Sequence, residues 1–117
     1  MSVDKNPPPS LKDLEDFLNQ IDLDLPNSFI QFYKESNGAD IFTEDDFILL
    51  YNLDDMAAIN KKRKMEEYFI FGSNGSDTAY IIHRNTGFIY DVPFIGMSKE
   101  EARFLFKDFG DFKDSWK

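Results

Sequence analysis

"YFIFGSNGSDTAYIIHRNTGFIYDVPF", residues 68–94, is the stretch on which the fold class turns. Three runs of β-branched and aromatic residues, 68–71, 79–83 and 88–92, alternate with two polar breaks that carry glycine. Runs of this composition between glycine-bearing breaks read as strands, and Pro93 ends the third because it has no N–H to give a ladder. The first break, 72–78, is a polar loop, and "RNTG" at 84–87 is a tight turn. Connections this short join antiparallel neighbours, so the stretch predicts an antiparallel meander.

Outward from the meander the pattern changes period. Upstream, Leu11, Leu14, Phe17, Leu18 and Ile21 recur at helical spacing behind Ser10, a good N-cap, with Asp13 near the positive helix end. "DLDLP" at 22–26 interrupts that pattern, and Pro26 suits the first turn of a second helix whose buried side is Phe29, Ile30, Phe32 and Tyr33. Asn37-Gly38 ends it, since both residues tolerate the left-handed conformation. "FILLY" at 47–51 is short and apolar and reads as a strand covered on both faces. "NLDDMAAINKK" reads as a third helix capped by Asn52, with Leu53, Met56, Ala57 and Ile59 inward.

Downstream, "SKEEARFLF" at 98–106 has the form of a capping box, Ser98 with Glu101, and predicts a helix whose apolar side is Ala102, Leu105, Phe106 and Phe109. Gly110 is expected to break that helix, and Phe112 and Trp116 to pin the tail. Residues 1–9, with three consecutive prolines, are expected to be a flexible or polyproline-like lead-in. Helices, then strands, then helices predict an α+β fold: one domain over 10–117, an antiparallel sheet meander flanked by N- and C-terminal helices.

A chain of 117 residues with 13 Phe, 5 Tyr and 1 Trp has the apolar material for one core. It has no cysteine, which excludes disulfides and thiolate metal sites. No apolar run approaches the ~20 residues of a membrane span, and "MSVDKNPPPS" lacks the apolar segment of a signal peptide. The expectation is a soluble cytoplasmic protein with no membrane partner. The formal charge of −9 disfavours direct binding to nucleic acid. Residues 1–57 carry 13 acids and 3 bases, while residues 58–117 carry 9 acids and 10 bases. Such asymmetry marks either a solubilising surface or a face for a basic partner.

The candidate reactive groups are sparse. His83, the one histidine, lies at a strand end without the partners of a triad and reads as a rim residue. "GSNG" at 72–75 lacks the lysine and spacing of a phosphate loop, and "TEDD" at 43–46 lacks the ligand pattern of a calcium loop. "KDFGD" at 107–111 shares letters with a kinase motif in a chain too short for a kinase. "KKRK" at 61–64 reads as cations at a helix end, favoured there by the helix dipole. No catalytic residue, metal site or cofactor is expected, and the chain is not expected to be an enzyme.

The order of these features resembles the SMI1/KNR4 (SUKH) superfamily. "LPNSFIQFYKESNGAD" is similar to its opening signature, Leu25-Pro26 before an aromatic-rich helix and then Asn37-Gly38. An apolar strand, "NLDDM", "FIFGSNGSDTAYIIHRNTGFIYDV" and a phenylalanine-rich end at "FKDFGDF" follow in the family's order. Tyr51 stands where many members have tryptophan, and Ala39 where a second glycine is common. The resemblance implies an α+β fold and, for a compact chain of the bacterial type, a non-enzymatic immunity protein of a polymorphic toxin system. Such a protein binds a cognate toxin domain, often a nuclease, and blocks it. The alternative is a regulatory protein-protein interaction module without a toxin partner. A basic nuclease would be met by an acidic face, and the candidates for it are Asp40, Glu44, Asp45, Asp46, Asp54 and Asp55. Asp54 and Asp55 also stabilise their own helix start. The expected oligomeric state is a monomer or a weak homodimer through the edges of the meander.

Overall fold

Seven strands and four α-helices follow one another along the chain, and the computed structural model describes them over residues 2–21 and 25–116. The elements are β1 (Ser2–Lys5), α1 (Leu11–Ile21), α2 (Asn27–Glu35), β2 (Ala39–Phe42), β3 (Phe47–Leu50), α3 (Leu53–Lys62), β4 (Tyr68–Ser73), β5 (Thr78–His83), β6 (Ile89–Pro93), β7 (Arg103–Phe106) and α4 (Phe109–Asp114). The strands form one antiparallel sheet in chain order, β1 to β7. The fold is α+β in a single domain. The helix break expected at 22–24 lies outside the described residues.

Most of the core lies between one face of the sheet and the helices. Leu14 and Phe17 of α1, Phe29, Phe32 and Tyr33 of α2, Leu53 and Met56 of α3, and Phe109 and Phe112 of α4 descend onto Ala39, Ile41, Ile48, Leu50, Phe69, Phe71, Ile82 and Ile89. Phe29, Phe71, Phe109 and Phe112 meet edge to face or tilted at centroid distances of 5.1–5.9 Å, the geometry aromatic quadrupoles prefer. Tyr33, fully buried, donates its hydroxyl to Tyr51 O at 2.7 Å, and burial pushes its ionisation far above the ordinary tyrosine range. A smaller cluster on the opposite face, Ile70, Ala79, Ile81 and Val92, is roofed by Ile59, Met65, Phe94 and Met97. Arg63 holds that roof, donating to Phe94 O at 2.7 Å with its guanidinium over the Phe94 ring.

The junction of α3 with the sheet is polar. β3 pairs with β4 only at Leu49 with Ser73 and Leu50 with Gly72, so the start of β4 has no strand on that side. The Asn60 side-chain amide takes the place of one. Its Nδ2 donates to Ile70 O at 2.7 Å and to Met56 O at 2.8 Å, and its Oδ1 accepts from Ile70 N at 2.7 Å. Both backbone groups of the fully buried Ile70 are thereby satisfied, as buried backbone groups must be.

Four expectations need correction. Residues Ser2–Lys5 are not a free lead-in but a strand paired with β2, Val3 opposite Ile41. The strand expected at 47–51 is covered on one face only, with Phe47 and Leu49 half-buried on the other. Residues 39–42, to which the sequence assigns no element, form β2 beside it: Ala39 and Ile41 point into the core while Asp40 and Phe42 point away. This is a period-2 pattern only four residues long, which the charge at Asp40 disguises. The helix expected from Ser98 is a single 3-10 turn, Lys99–Glu101, followed by β7. The Ser98 side chain caps nothing. The open edge of β6 captures the segment instead, pairing Tyr90 with Phe104 and Ile89 with Phe106. Leu105 is the extra residue of a bulge, and the bulge hides the alternation that would mark a strand. Finally, Gly110 does not break a helix but sits in the first turn of α4, whose N-cap Asp108 accepts from Asp111 N at 2.7 Å. Phe112 and Trp116 are buried, as expected of the tail.

Candidate functional site

The helices cover one face of the sheet, and the loops over the small cluster cover the other face only across β4–β6. Over β1–β3 that second face is open. Asp40 and Phe42 of β2 point into it, opposite Asp4 and Ser2 of β1 and Leu49 and Phe47 of β3. Asp4 and Asp40 are direct cross-strand partners, an arrangement of like charges that destabilises a sheet. The neighbouring cation does not relieve it, because Lys5 turns to the helix side and lies over the Phe32 ring.

Phe42 and Phe47 close the β2–β3 hairpin with their rings 5.0 Å apart, and Phe42 is 44 % exposed. Exposed aromatics cost hydrophobic free energy and are the commonest anchors of interfaces. The hairpin connection beyond them is fixed: Thr43 N donates to Asp46 O at 2.9 Å, and Thr43 Oγ1 accepts from Asp46 N at 2.9 Å. This presents Glu44, Asp45 and Asp46, all exposed, on a rigid tip. The loop after β4 stands beside the tip, so close that a Cβ on Gly75 would lie 2.8 Å from the Phe47 ring. The Asn74 carboxamide organises this loop, accepting from Ser76 N and Thr78 N at 3.0 Å each. Hydrogen bonds from Asn74 and Thr78 hold the exposed Asp77 carboxyl below the usual range. The result is an aromatic pair bordered by Asp40, Glu44 and Asp45, with Asp77 in the adjoining loop, and none of these has an ion-pair partner among the described residues. Asp46 turns to the helix side of the sheet, where it lines a cavity with Ile48, Tyr80, Asp91 and Arg103.

Asp54 and Asp55 do not join this surface. They open α3 at the far end of β3, whose four residues span about 13 Å at ~3.3 Å per residue. Asp54 instead lines a groove with Asp13 and Asp16 of α1. Asn52 caps the helix there, its Oδ1 accepting from Asp55 N at 2.8 Å, as expected from the sequence. Sequence reading missed Asp4, Phe42, Phe47 and Asp77 as parts of the open face. The available signals were the alternation in "ADIF" and the Asn-Gly-Ser-Asp run, which favours a side-chain-organised turn.

Other acids are neutralised internally. Asp91, mostly buried, is gripped by Arg103 through two bonds of 2.6 and 3.2 Å. Tyr80 lies between Asp91 and Gly72 on the neighbouring strands, and burial, then Asp46 and Asp91, raise its pKa. His83 serves its own turn: Nδ1 accepts from Asn85 N and Thr86 N at 3.2 Å, and Nε2 lies 3.9 Å from Glu67. Among the described residues no group of three or more His, Asp or Glu side chains is arranged to hold a metal ion, and no helix is long and apolar enough to cross a membrane.

A comparison with family models matches residues 8–115 to the SMI1 / KNR4 family (SUKH-1). The chain belongs to this family. A comparison with curated proteins gave no match. The matched span of the SMI1/KNR4 domain begins after β1, so the strand that sets Asp4 against Asp40 lies outside it.

Proposed function

We propose that the chain is a non-enzymatic immunity protein that binds a cognate bacterial toxin domain in the cytoplasm and neutralises it. The toxin of this reading is a nuclease with a cationic groove. What supports it is the open face of β1–β3 in a chain of the SMI1/KNR4 family: an exposed Phe42 packed against the half-buried Phe47 inside a border of unpaired carboxylates. Asp40, Glu44 and Asp45 contact the cations that would otherwise hold phosphate, the aromatic pair anchors the contact, and Asp46, on the helix side of the same tip, adds to the field around them. Asp54 and Asp55, with Asp13 and Asp16, add to the negative field that steers encounter from a distance. No bond is made or broken, so inhibition is stoichiometric and reversible.

Co-expression with the toxin domain encoded beside the gene tests this reading. Survival of the cells, and a 1:1 complex whose association slows as salt rises, are the expected results. Unrelieved toxicity, with no complex between the purified proteins, would refute it.

A further inference from the structure

A separate cavity of about 440 Å³ opens between α1, α3, the start of β4 and the turn after β5. Its walls include Gln20, Ile21, Ala57, Lys61, Phe69 and Arg84. The volume lies within the ordinary range of small-molecule sites. The observation that singles it out is Arg84. Its Nε is buried without a hydrogen-bond partner, and no carboxylate among the described residues pairs with its guanidinium. This happens in a chain with 22 acidic residues against 13 basic ones, where partners are plentiful. Arg84 as a whole is half-buried, and a buried guanidinium nitrogen without an acceptor costs free energy that a bound acceptor would recover.

The local structure keeps Arg84 there. Arg84 N donates to Glu67 O at 2.8 Å, and Gly87 N to His83 O at 3.0 Å, so the turn is tied at both ends. The Glu67 carboxylate, although adjacent in the fold, is turned to His83. Lys61, in the last turn of α3, brings a second unpaired cation to the same cavity. The Asn60 amide in the wall is already committed to the backbone of Met56 and Ile70. Phe69 and Ala57 supply an apolar floor. Toward the N-terminal half of α1 the cavity adjoins the groove of Asp13, Asp16 and Asp54, with Gln20 and Ala57 shared between them. Three carboxylates at that end repel any long polyanion, so the occupant is small.

We propose that this cavity binds a small organic anion. A carboxylate or phosphate head sits on Arg84 and Lys61, and an apolar body lies on Phe69 and Ala57. Guanidinium and ammonium groups suit both heads: the first grips two oxygens in one plane and the second acts as a point charge. This site is independent of the face assigned to the toxin.

The test is a titration of the full isotope-labelled chain, followed by amide chemical shifts, with phenyl phosphate, benzoate and inorganic phosphate as separate probes. Phenyl phosphate or benzoate is expected to give saturable shifts confined to Ala57, Lys61, Phe69 and Arg84 and their neighbours. The stronger of the two identifies the head group. Inorganic phosphate is expected to bind at least fivefold more weakly than phenyl phosphate. Arg84→Gln should weaken the better probe at least tenfold and Lys61→Gln at least threefold. Because Lys61 is exposed on a helix, its variant carries the test even where Arg84→Gln fails to fold. Shifts that do not saturate, that spread over Lys12, Lys34 and Lys107, or that survive both substitutions would overturn the proposal. Equal binding of inorganic phosphate and phenyl phosphate would overturn the apolar half of it.

Discussion

Replacing Asn60 with leucine keeps the branching at Cγ and removes the three hydrogen bonds that join α3 to the unpaired side of β4. Ile70 is fully buried, so its N–H and C=O both lose their partner away from solvent. Each unsatisfied buried group costs about 1–3 kcal/mol, and water entering from the neighbouring cavity offsets part of that. The expected loss is therefore ~2–4 kcal/mol, or about 8–16 °C in Tm at roughly 4 °C per kcal/mol for a domain of this size. Urea unfolding followed by circular dichroism measures the first quantity. Hydrogen exchange at the Ile70 amide measures the local effect, which should be a loss of protection beyond the global change. Asn60→Asp should fall below wild type as well, because it keeps an acceptor for Ile70 N but sets a carboxylate against two carbonyls. A loss under about 0.5 kcal/mol for Asn60→Leu, with Ile70 still protected, would refute the claim that this amide substitutes for a strand.

Gly38→Ala should cost about 3 kcal/mol or more in urea unfolding, because φ is +87° and the new Cβ would lie 2.5 Å from Leu50 O. Gly96→Ala, at φ +70° with no atom within 4 Å, is the matched control and should cost ~1 kcal/mol. Tyr33 is neutral in the folded chain to high pH, whereas in the unfolded chain it ionises near pH 10. Its contribution is thus fully present below pH 10 and is lost as pH rises from there toward the elevated folded value, at about 1.4 kcal/mol per pH unit. Tyr33→Phe should lower stability by ~1 kcal/mol at pH 7 through the lost bond to Tyr51 O, yet show a shallower alkaline decline. Phe112→Ala should cost ~3–5 kcal/mol by equilibrium unfolding, since its ring meets those of Phe71, Tyr80, Phe106, Phe109 and Trp116.

The sequence carries the fold wherever local signals and tertiary packing agree. The helix stripe of α1, the Asn52 cap and the strands within 68–94 each rest on a period or a cap that a short window displays. Legibility fails where pairing partners decide. β1 and β2 are four residues each, and nothing within "SVDK" or "ADIF" announces the other strand. The bulge at Leu105 gives β7 the apolar spacing of a helix, and only the vacant edge of β6 overrules it. The candidate face shows the same division. Glu44, Asp45 and Asp46 stand out in the sequence as an acidic turn. Their union with Asp77 requires the contact of two loops about 30 residues apart, and the separation of Asp54 and Asp55 follows from the length of β3. Charge counting groups residues by position along the chain, whereas a partner meets them by face.

The central claim is that the open face of β1–β3 receives a basic toxin domain. Its most direct test is the dissociation constant for the toxin domain encoded beside the gene, measured by calorimetry for wild type, Phe42→Ala, Asp45→Asn and Phe104→Ala. Phe104 is 52 % exposed on β7, at the opposite edge of the sheet, and controls for exposed aromatics in general. The account predicts at least a thirtyfold weakening for Phe42→Ala, about 2 kcal/mol, a smaller and salt-dependent weakening for Asp45→Asn, and no change for Phe104→Ala. Tight binding that Phe42→Ala leaves intact and Phe104→Ala abolishes would contradict it.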